Sequence, residues 1–97
     1  MVSVIGQGTT GAGSVAIATP EDIRHRIDVL RRGIEKGMNL IDTSPAYEGG
    51  HAEAVTGQAI KSIRKDVFLC SKFEPQHSTY PDVIRSAEKS LTRLQTD

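Results

Sequence analysis

The chain has 97 residues, and its twelve basic and twelve acidic side chains give a formal net charge of zero. Nucleic-acid binders and anionic-membrane binders need a cationic surplus, so this balance argues against both classes. The hydrophobic fraction of 37% is typical of a globular protein rather than a disordered one. Cys70 is the only cysteine, so we expect no internal disulfide, a cytoplasmic location and a buried strand position for this residue.

The first third of the chain predicts a strand, a glycine-rich loop and a helix. Residues 1–5 are rich in β-branched side chains and predict a buried strand, and the glycines between 6 and 13 predict the loop. Thr19 and Pro20 form a helix start, with a threonine cap followed by proline at the first helical position. Gly37 predicts the helix end. The apolar stripe between these signals is Ile23, Ile27, Leu30 and Ile34.

Two further strand–helix pairs follow. The apolar runs 39–42 and 67–70 predict strands, and helices are predicted from about His51 and from near Pro81. Helix starts that are about thirty residues apart are typical of right-handed βαβ units and a parallel sheet. The doubly wound sheet and the eight-fold barrel both have this period. The predicted stripes are Val55, Ala59 and Ile63 for the second helix, and Ile84, Ala87, Leu91 and Leu94 for the third.

The run Gly6-Gln7-Gly8-Thr9-Thr10-Gly11 matches the G-x-G-x-x-G pattern of dinucleotide-binding Rossmann folds. In those folds the helix begins inside the motif, and an acid follows about twenty residues later. Here the helix start lies at Thr19, and Asp42 follows Gly6 by 36 residues. A Rossmann-type dehydrogenase therefore stays an alternative, to be decided by whether the chain between Gly11 and Thr19 is loop or helix.

Three polar residues stand at or just beyond the ends of the second and third predicted strands: Asp42, Tyr47 and Lys72. This edge of a parallel barrel is where active sites are built. A free phenol has a pKa of about 10, too high for an efficient acid near neutrality, and an adjacent ammonium favours the phenolate. A carboxylate would keep that ammonium charged and oriented. The trio predicts that Tyr47 protonates a carbonyl oxygen while a cofactor delivers hydride. A non-enzymatic scaffold is a further alternative, in which Asp42 and Lys72 would point away from each other.

Several blocks in this order resemble the aldo-keto reductases, over essentially all 97 residues. Residues 39–47 resemble the family's Asp-Thr-x-x-x-Tyr block, and Ser71-Lys72 resembles its strand-three lysine. The remaining blocks are 2–10 (first strand and Gly-x-Gly-Thr turn), 51–53 (histidine, small residue, glutamate), 57–60 (Gly-x-Ala-Leu) and 90–97 (the helix before strand four).

The resemblance implies an α/β fold, the first three βα units of a (β/α)8 TIM barrel, with residues 1–97 as the N-terminal part of a longer barrel domain. It implies reversible, NADPH-dependent reduction of a small aldehyde or ketone, without a metal. Asp42, Tyr47 and Lys72 would be catalytic, with Tyr47 as the general acid, and Gly8, Thr9 and Asp42 would line the NADPH site. The family's fourth catalytic residue, a histidine, would lie beyond Asp97, and Glu48 stands where the family often has glycine.

Three strands cannot complete the layers of side chains that fill a barrel. We therefore expect the isolated chain to be inactive and to self-associate through exposed sheet edges.

Overall fold

A computed structural model of the chain describes residues 1–11 and 19–97. Within these residues, three strands alternate with three α-helices. They are β1 (Gly6–Gly8), α1 (Pro20–Glu35), β2 (Leu40–Asp42), α2 (His51–Ile60), β3 (Phe68–Cys70) and α3 (Tyr80–Leu94). Short 3-10 turns lie in the loops at Tyr47–Gly50, Arg64–Asp66 and Pro75–His77. The strands form one parallel sheet in the order β1-β2-β3, so the predicted succession of parallel βα units is confirmed.

Helix α1 begins and ends where its local signals predict. The Thr19 hydroxyl accepts from the Asp22 backbone N–H at 3.1 Å, and the Asp22 carboxylate accepts from the Thr19 N–H at 2.9 Å. This reciprocal pair is a capping box, and Pro20 occupies the first helical position. Past the helix end, Gly37 has a φ of +94°, the left-handed conformation that favours glycine.

The residues of the three strands are paired in rows across the sheet, and the side chains of one row all point to the same face. Gln7, Ile41 and Leu69 form the middle row of the sheet, and Gly8, Asp42 and Cys70 form the next row. Side chains of successive rows point to opposite faces. The middle row faces the helices, where Ile41 is fully buried. The core on this side consists of Leu30, Ile41, Ala59, Ile60 and Val67, with Ile27, Ile34, Ile63 and Leu69 packed against it.

The prediction of a buried strand at residues 1–5 is wrong, because the first strand lies at Gly6–Gly8. Val4 and Ile5 are exposed, at 102% and 68%. Side-chain hydrogen bonds replace a strand ladder in this segment. The Ser3 N–H donates to the Asn39 side chain at 2.8 Å, and the Leu40 N–H donates to the Ser3 hydroxyl at 3.2 Å.

The predicted burial of Cys70 is also wrong, since this thiol is exposed. Strand β3 alternates exposed and half-buried residues, and Phe68 is 48% exposed on the same face as Cys70. The helices cover only the opposite face of the sheet, so an apolar strand sequence does not by itself bury both faces.

Only part of the predicted apolar stripe of α3 is buried. Leu94 is buried at 3% exposure, whereas Ile84, Ala87 and Leu91 are exposed. Within the described ranges α3 packs mainly against α2, and the side that it buries carries Ser90 and Leu94. None of the helices in residues 1–11 and 19–97 combines the length and apolar character that crossing a membrane requires.

Candidate active site

Lys72 lies at the centre of a cluster of polar groups on the face of the sheet opposite the helices. Its ammonium nitrogen Nζ is 2.8 and 2.7 Å from the two carboxylate oxygens of Asp42, 2.9 Å from the Thr43 carbonyl oxygen and 3.1 Å from the Tyr47 phenol oxygen. An ammonium has three protons to donate, and these three partners use all of them. Of the three residues predicted from the strand ends, Lys72 therefore contacts both Asp42 and Tyr47 directly.

The pKa of Lys72 is raised above its ordinary value of 10.5. Desolvation acts in the opposite direction and lowers it, because burial disfavours the charged form. The hydrogen bonds that the ammonium donates to Asp42 and Tyr47, together with the negative charge of Asp42, more than offset this effect. The ammonium consequently stays protonated throughout the physiological pH range.

The phenol of Tyr47 is placed so that its own proton remains available. Its oxygen accepts a hydrogen bond from the ammonium of Lys72, and the ammonium lies 4.8 Å from the centre of the phenol ring. Among the residues that the structure describes, no acceptor takes the Tyr47 hydroxyl proton. A hydroxyl in this state can donate to an oxygen that arrives from outside the chain.

The segment Tyr47–Gly50 reverses the chain through three successive left-handed residues. Glu48, Gly49 and Gly50 have φ values of 53°, 63° and 92°. Glu48, the non-glycine residue of the three, forms an ion pair of 2.6 Å with Arg26 of α1, and its side chain is 16% exposed. This contact ties the segment to α1 and offsets the strain of a left-handed glutamate.

Gly8 and Thr9, which the family resemblance assigns to the cofactor site together with Asp42, lie beside Asp42. Gly8 is in register with Asp42, and the Thr9 N–H and hydroxyl both donate to the Asp42 carbonyl oxygen at 3.1 Å. A methyl group added at Gly8 would meet no atom within 4 Å among the described residues. Within the described residues, the surface at Gly8, on the same side of the sheet as the Asp42 carboxylate, is therefore open.

A second network, to which the sequence analysis assigned no role, lies behind Lys72. Glu53 of α2 is fully buried and forms an ion pair of 2.5 Å with Arg93 of α3. The other carboxylate oxygen of Glu53 accepts from the Ser71 hydroxyl at 2.6 Å. The sequence does hold one signal for the burial of Glu53. It stands four residues before Gly57, which places both residues on the same, buried face of α2.

The structure bears on two alternatives that the sequence left open, the non-enzymatic scaffold and the Rossmann-type dehydrogenase, and it speaks against both. Asp42 and Lys72 point towards each other, which is the opposite of what the scaffold alternative requires. Gly6 and Gly8 lie within β1 rather than in a turn that leads into a helix, contrary to the Rossmann pattern. The deciding segment between Gly11 and Thr19 falls on residues 12–18, outside the described residues. In the described ranges, no group of three histidine, cysteine or acidic side chains could hold a metal ion.

Comparison with known proteins identifies the same family along nearly the whole chain. The model of the aldo/keto reductase family matches residues 4–97. Methylglyoxal reductase YeaE of Escherichia coli is 41% identical over 93 residues, which is 96% of this chain and 31% of that protein. The chain thus spans about a third of the length of this relative.

Solved structures give the same result for the fold. An aldo/keto reductase from Klebsiella pneumoniae, in complex with NADP and acetate, superposes with a TM-score of 0.89 at 41% identity, over 99% of this chain and 32% of that one. An aldo-keto reductase from the same organism in complex with NADPH gives 0.88 at 41% identity, with the same coverage of both chains. The predicted fold class, an α/β fold with the first three βα units of a barrel, is confirmed.

Proposed function

The chain belongs to the aldo/keto reductase family, and from this membership we propose that it is the N-terminal part of an NADP-dependent reductase that converts a small aldehyde or ketone to an alcohol. The observation that carries the proposal is the contact of the Lys72 ammonium with both the Asp42 carboxylate and the Tyr47 phenol. The activity belongs to a longer protein, because the chain covers 31% of its methylglyoxal-reducing relative. A cytoplasmic location is part of the proposal, supported by the single cysteine.

Tyr47 is the proposed general acid. Its oxygen accepts from Lys72, so the ammonium stabilises the negative charge that forms when the phenol gives up its proton. The proton goes to the carbonyl oxygen of the substrate as that oxygen becomes an alkoxide. In the reverse reaction the phenolate takes the proton back from the alcohol.

Asp42 and Lys72 keep the acid ready. The Asp42 carboxylate receives two hydrogen bonds from the ammonium, and this pairing keeps Lys72 charged. The Thr43 carbonyl also accepts from the ammonium, at 2.9 Å, and so helps to direct the lysine side chain, while Tyr47 accepts from it at 3.1 Å. A neutral or misdirected amine would not stabilise the phenolate.

The residues beside Asp42 fit a nicotinamide cofactor. Gly8 leaves open surface on the same face as the Asp42 carboxylate, and Thr9 is fixed by its two hydrogen bonds to the Asp42 carbonyl. Gly8, Thr9 and Asp42 would hold the nicotinamide end, which supplies the hydride when bound. The solved relatives that bind NADP or NADPH support this assignment.

A grafting experiment tests the proposal directly. The matched 93-residue stretch of methylglyoxal reductase YeaE is replaced by the corresponding residues of this chain, and NADPH consumption with methylglyoxal is followed. We expect turnover in the graft. Tyr47→Phe should reduce kcat by about 10²–10⁴-fold, the usual contribution of a positioned acid.

The matched control is Tyr80→Phe, since Tyr80 is 82% exposed at the start of α3 and should not affect turnover. A folded graft without NADPH-dependent turnover would contradict the proposal, as would a Tyr47→Phe variant within a few-fold of the unmodified rate. For the 97-residue chain alone we expect no turnover.

A further inference from the structure

Glu53 lies behind the candidate site and contacts residues on two sides of it. We propose that Glu53 is a positioning residue for this site, and the proposal rests on the function proposed above. It acts on Lys72 through the Ser71 hydroxyl. It acts on the segment Tyr47–Gly50 through the Arg93 guanidinium.

The connection to Lys72 is short. Strand β3 ends at Cys70, whose carbonyl accepts from the Thr43 N–H at 2.8 Å, and Lys72 lies two residues beyond the end of the ladder. Ser71 is the residue between them, and its hydroxyl donates to Glu53 at 2.6 Å. This hydrogen bond fixes the backbone from which the Lys72 side chain reaches Asp42.

The connection to the segment that carries Tyr47 is equally direct. The Arg93 side chain passes across Gly50, where a methyl group would lie 2.7 Å from Arg93 Cδ. Gly50 has a φ of 92°, so both its conformation and its lack of a side chain suit this crossing. Arg93 then pairs with Glu53 and is held in place.

A buried carboxylate is a costly way to join two helices. An apolar contact between α2 and α3 would hold them together without the desolvation of two charges. Glu53 is fully buried, yet both of its carboxylate oxygens are used, one by Ser71 and one by Arg93. The value of such a network lies in fixing directions, because each hydrogen bond specifies where its partner must lie.

The test measures the pKa of the Lys72 amine in the full 97-residue chain by NMR titration, with Lys72→Arg to assign the signal. Ser71→Ala removes one neutral hydroxyl, so a change in Lys72 does not arise from an added or deleted formal charge. We expect its proton dissociation constant to rise about threefold or more, as the contacts to Asp42 and Tyr47 loosen. Ser71→Thr, which keeps a hydroxyl, should restore the original titration.

Two controls separate positioning from stability. Val55→Ala removes buried apolar volume from α2 and should lower the unfolding free energy without shifting the Lys72 titration. Ser62→Ala removes a hydroxyl from an exposed residue just after α2 that makes no side-chain hydrogen bond within the described residues, and it should change neither. Glu53→Gln, which keeps the shape of the side chain but also removes a negative charge, should shift Lys72 in the same direction as Ser71→Ala, so the charge-neutral Ser71→Ala is the decisive variant.

The proposal is overturned if Ser71→Ala and Glu53→Gln leave the Lys72 titration unchanged, or if Val55→Ala shifts it equally. It is also overturned if Lys72 in the unmodified chain titrates as an ordinary exposed lysine. A failure of the reductase proposal gives a different result, with no NADPH consumption by the YeaE graft while the coupling between Ser71 and Lys72 persists.

Discussion

The ammonium of Lys72 donates to both carboxylate oxygens of Asp42, at 2.8 and 2.7 Å, across the ends of two neighbouring parallel strands. The two side chains are 42% and 43% exposed, so water surrounds part of the pair. An exposed pair contributes little to stability. Here the role of the pair is different: Asp42 keeps the amine of Lys72 charged and directs it towards Tyr47.

Asp42→Asn should lower the pKa of Lys72. Desolvation alone would lower this pKa, but the hydrogen bonds and charges of Asp42 and Tyr47 together exceed that effect and hold the pKa of unmodified Lys72 above 10.5. Since the folded value is the higher one, the stabilising contribution is fully present below pH 10.5. It is lost as the pH rises through the folded pKa. NMR titration of Lys72 between pH 8 and pH 12 measures this shift. Asp66→Asn, at an exposed acid after α2, is the control, and an unchanged Lys72 titration in Asp42→Asn would refute the assigned cause.

Thr19→Ala should destabilise the chain by about 1 kcal/mol, the typical contribution of a helix cap. Its partner makes the effect depend on pH, since the Thr19 side chain holds the pKa of Asp22 below 3.8. A lowered folded pKa means that this contribution is present above pH 3.8 and lost as the pH falls through the folded value. Urea unfolding of both forms at pH 7 and pH 2.5 gives the comparison. The prediction is contradicted if Thr19→Ala lowers the free energy of unfolding by the same amount at both pH values.

Gly57→Ala should destabilise the contact between α2 and α3. A methyl group at Gly57 would lie 2.3 Å from the Leu94 carbonyl oxygen, a backbone atom that a rotamer change cannot move. The helices must separate, at a cost of about 1–3 kcal/mol. Gln58→Ala, at an exposed position of the same helix, controls for helix propensity. Thermal unfolding measures both, and a Gly57→Ala variant as stable as the control would contradict this contact.

The isolated chain should self-associate through the exposed edges of its sheet and the exposed apolar side chains near them. Val4, Ile5 and Phe68 are 102%, 68% and 48% exposed, and in the described residues β1 and β3 are each paired along one edge only. Sedimentation should show mass rising with concentration, and Ile5→Lys should reduce it. Val29→Thr, at an exposed apolar position on α1, is the matched control and should not. A strictly monomeric chain at high concentration would rule out this association.

The features that could be predicted from the sequence depend on local chemistry. Thr19, Pro20 and Gly37 mark the ends of α1 because caps and left-handed glycines act within one turn of the helix. Asp42 and Lys72 were expected to meet because ends of parallel strands share one edge, and they do.

The features that could not be predicted depend on contacts between distant segments. Before β1, Ser3 bonds to the Asn39 side chain and to the Leu40 N–H rather than joining the strand ladder, and these partners lie 36 and 37 residues along the chain. Cys70 is exposed because no layer covers its face within the described residues, a property of the assembled sheet rather than of its apolar neighbours. The burial of Glu53 likewise requires α2 and α3 to lie close together.

The partial exposure of Asp42 and Lys72 makes the strength of this site depend on what covers it. With water against both side chains, the local dielectric constant is high and the field of the ammonium at Tyr47 is weak. A flat ring seated over Gly8 and Asp42 would exclude that water and lower the local dielectric constant. In the function proposed above, the molecule that brings the hydride would therefore also strengthen the attraction between the Lys72 ammonium and the oxygen of Tyr47.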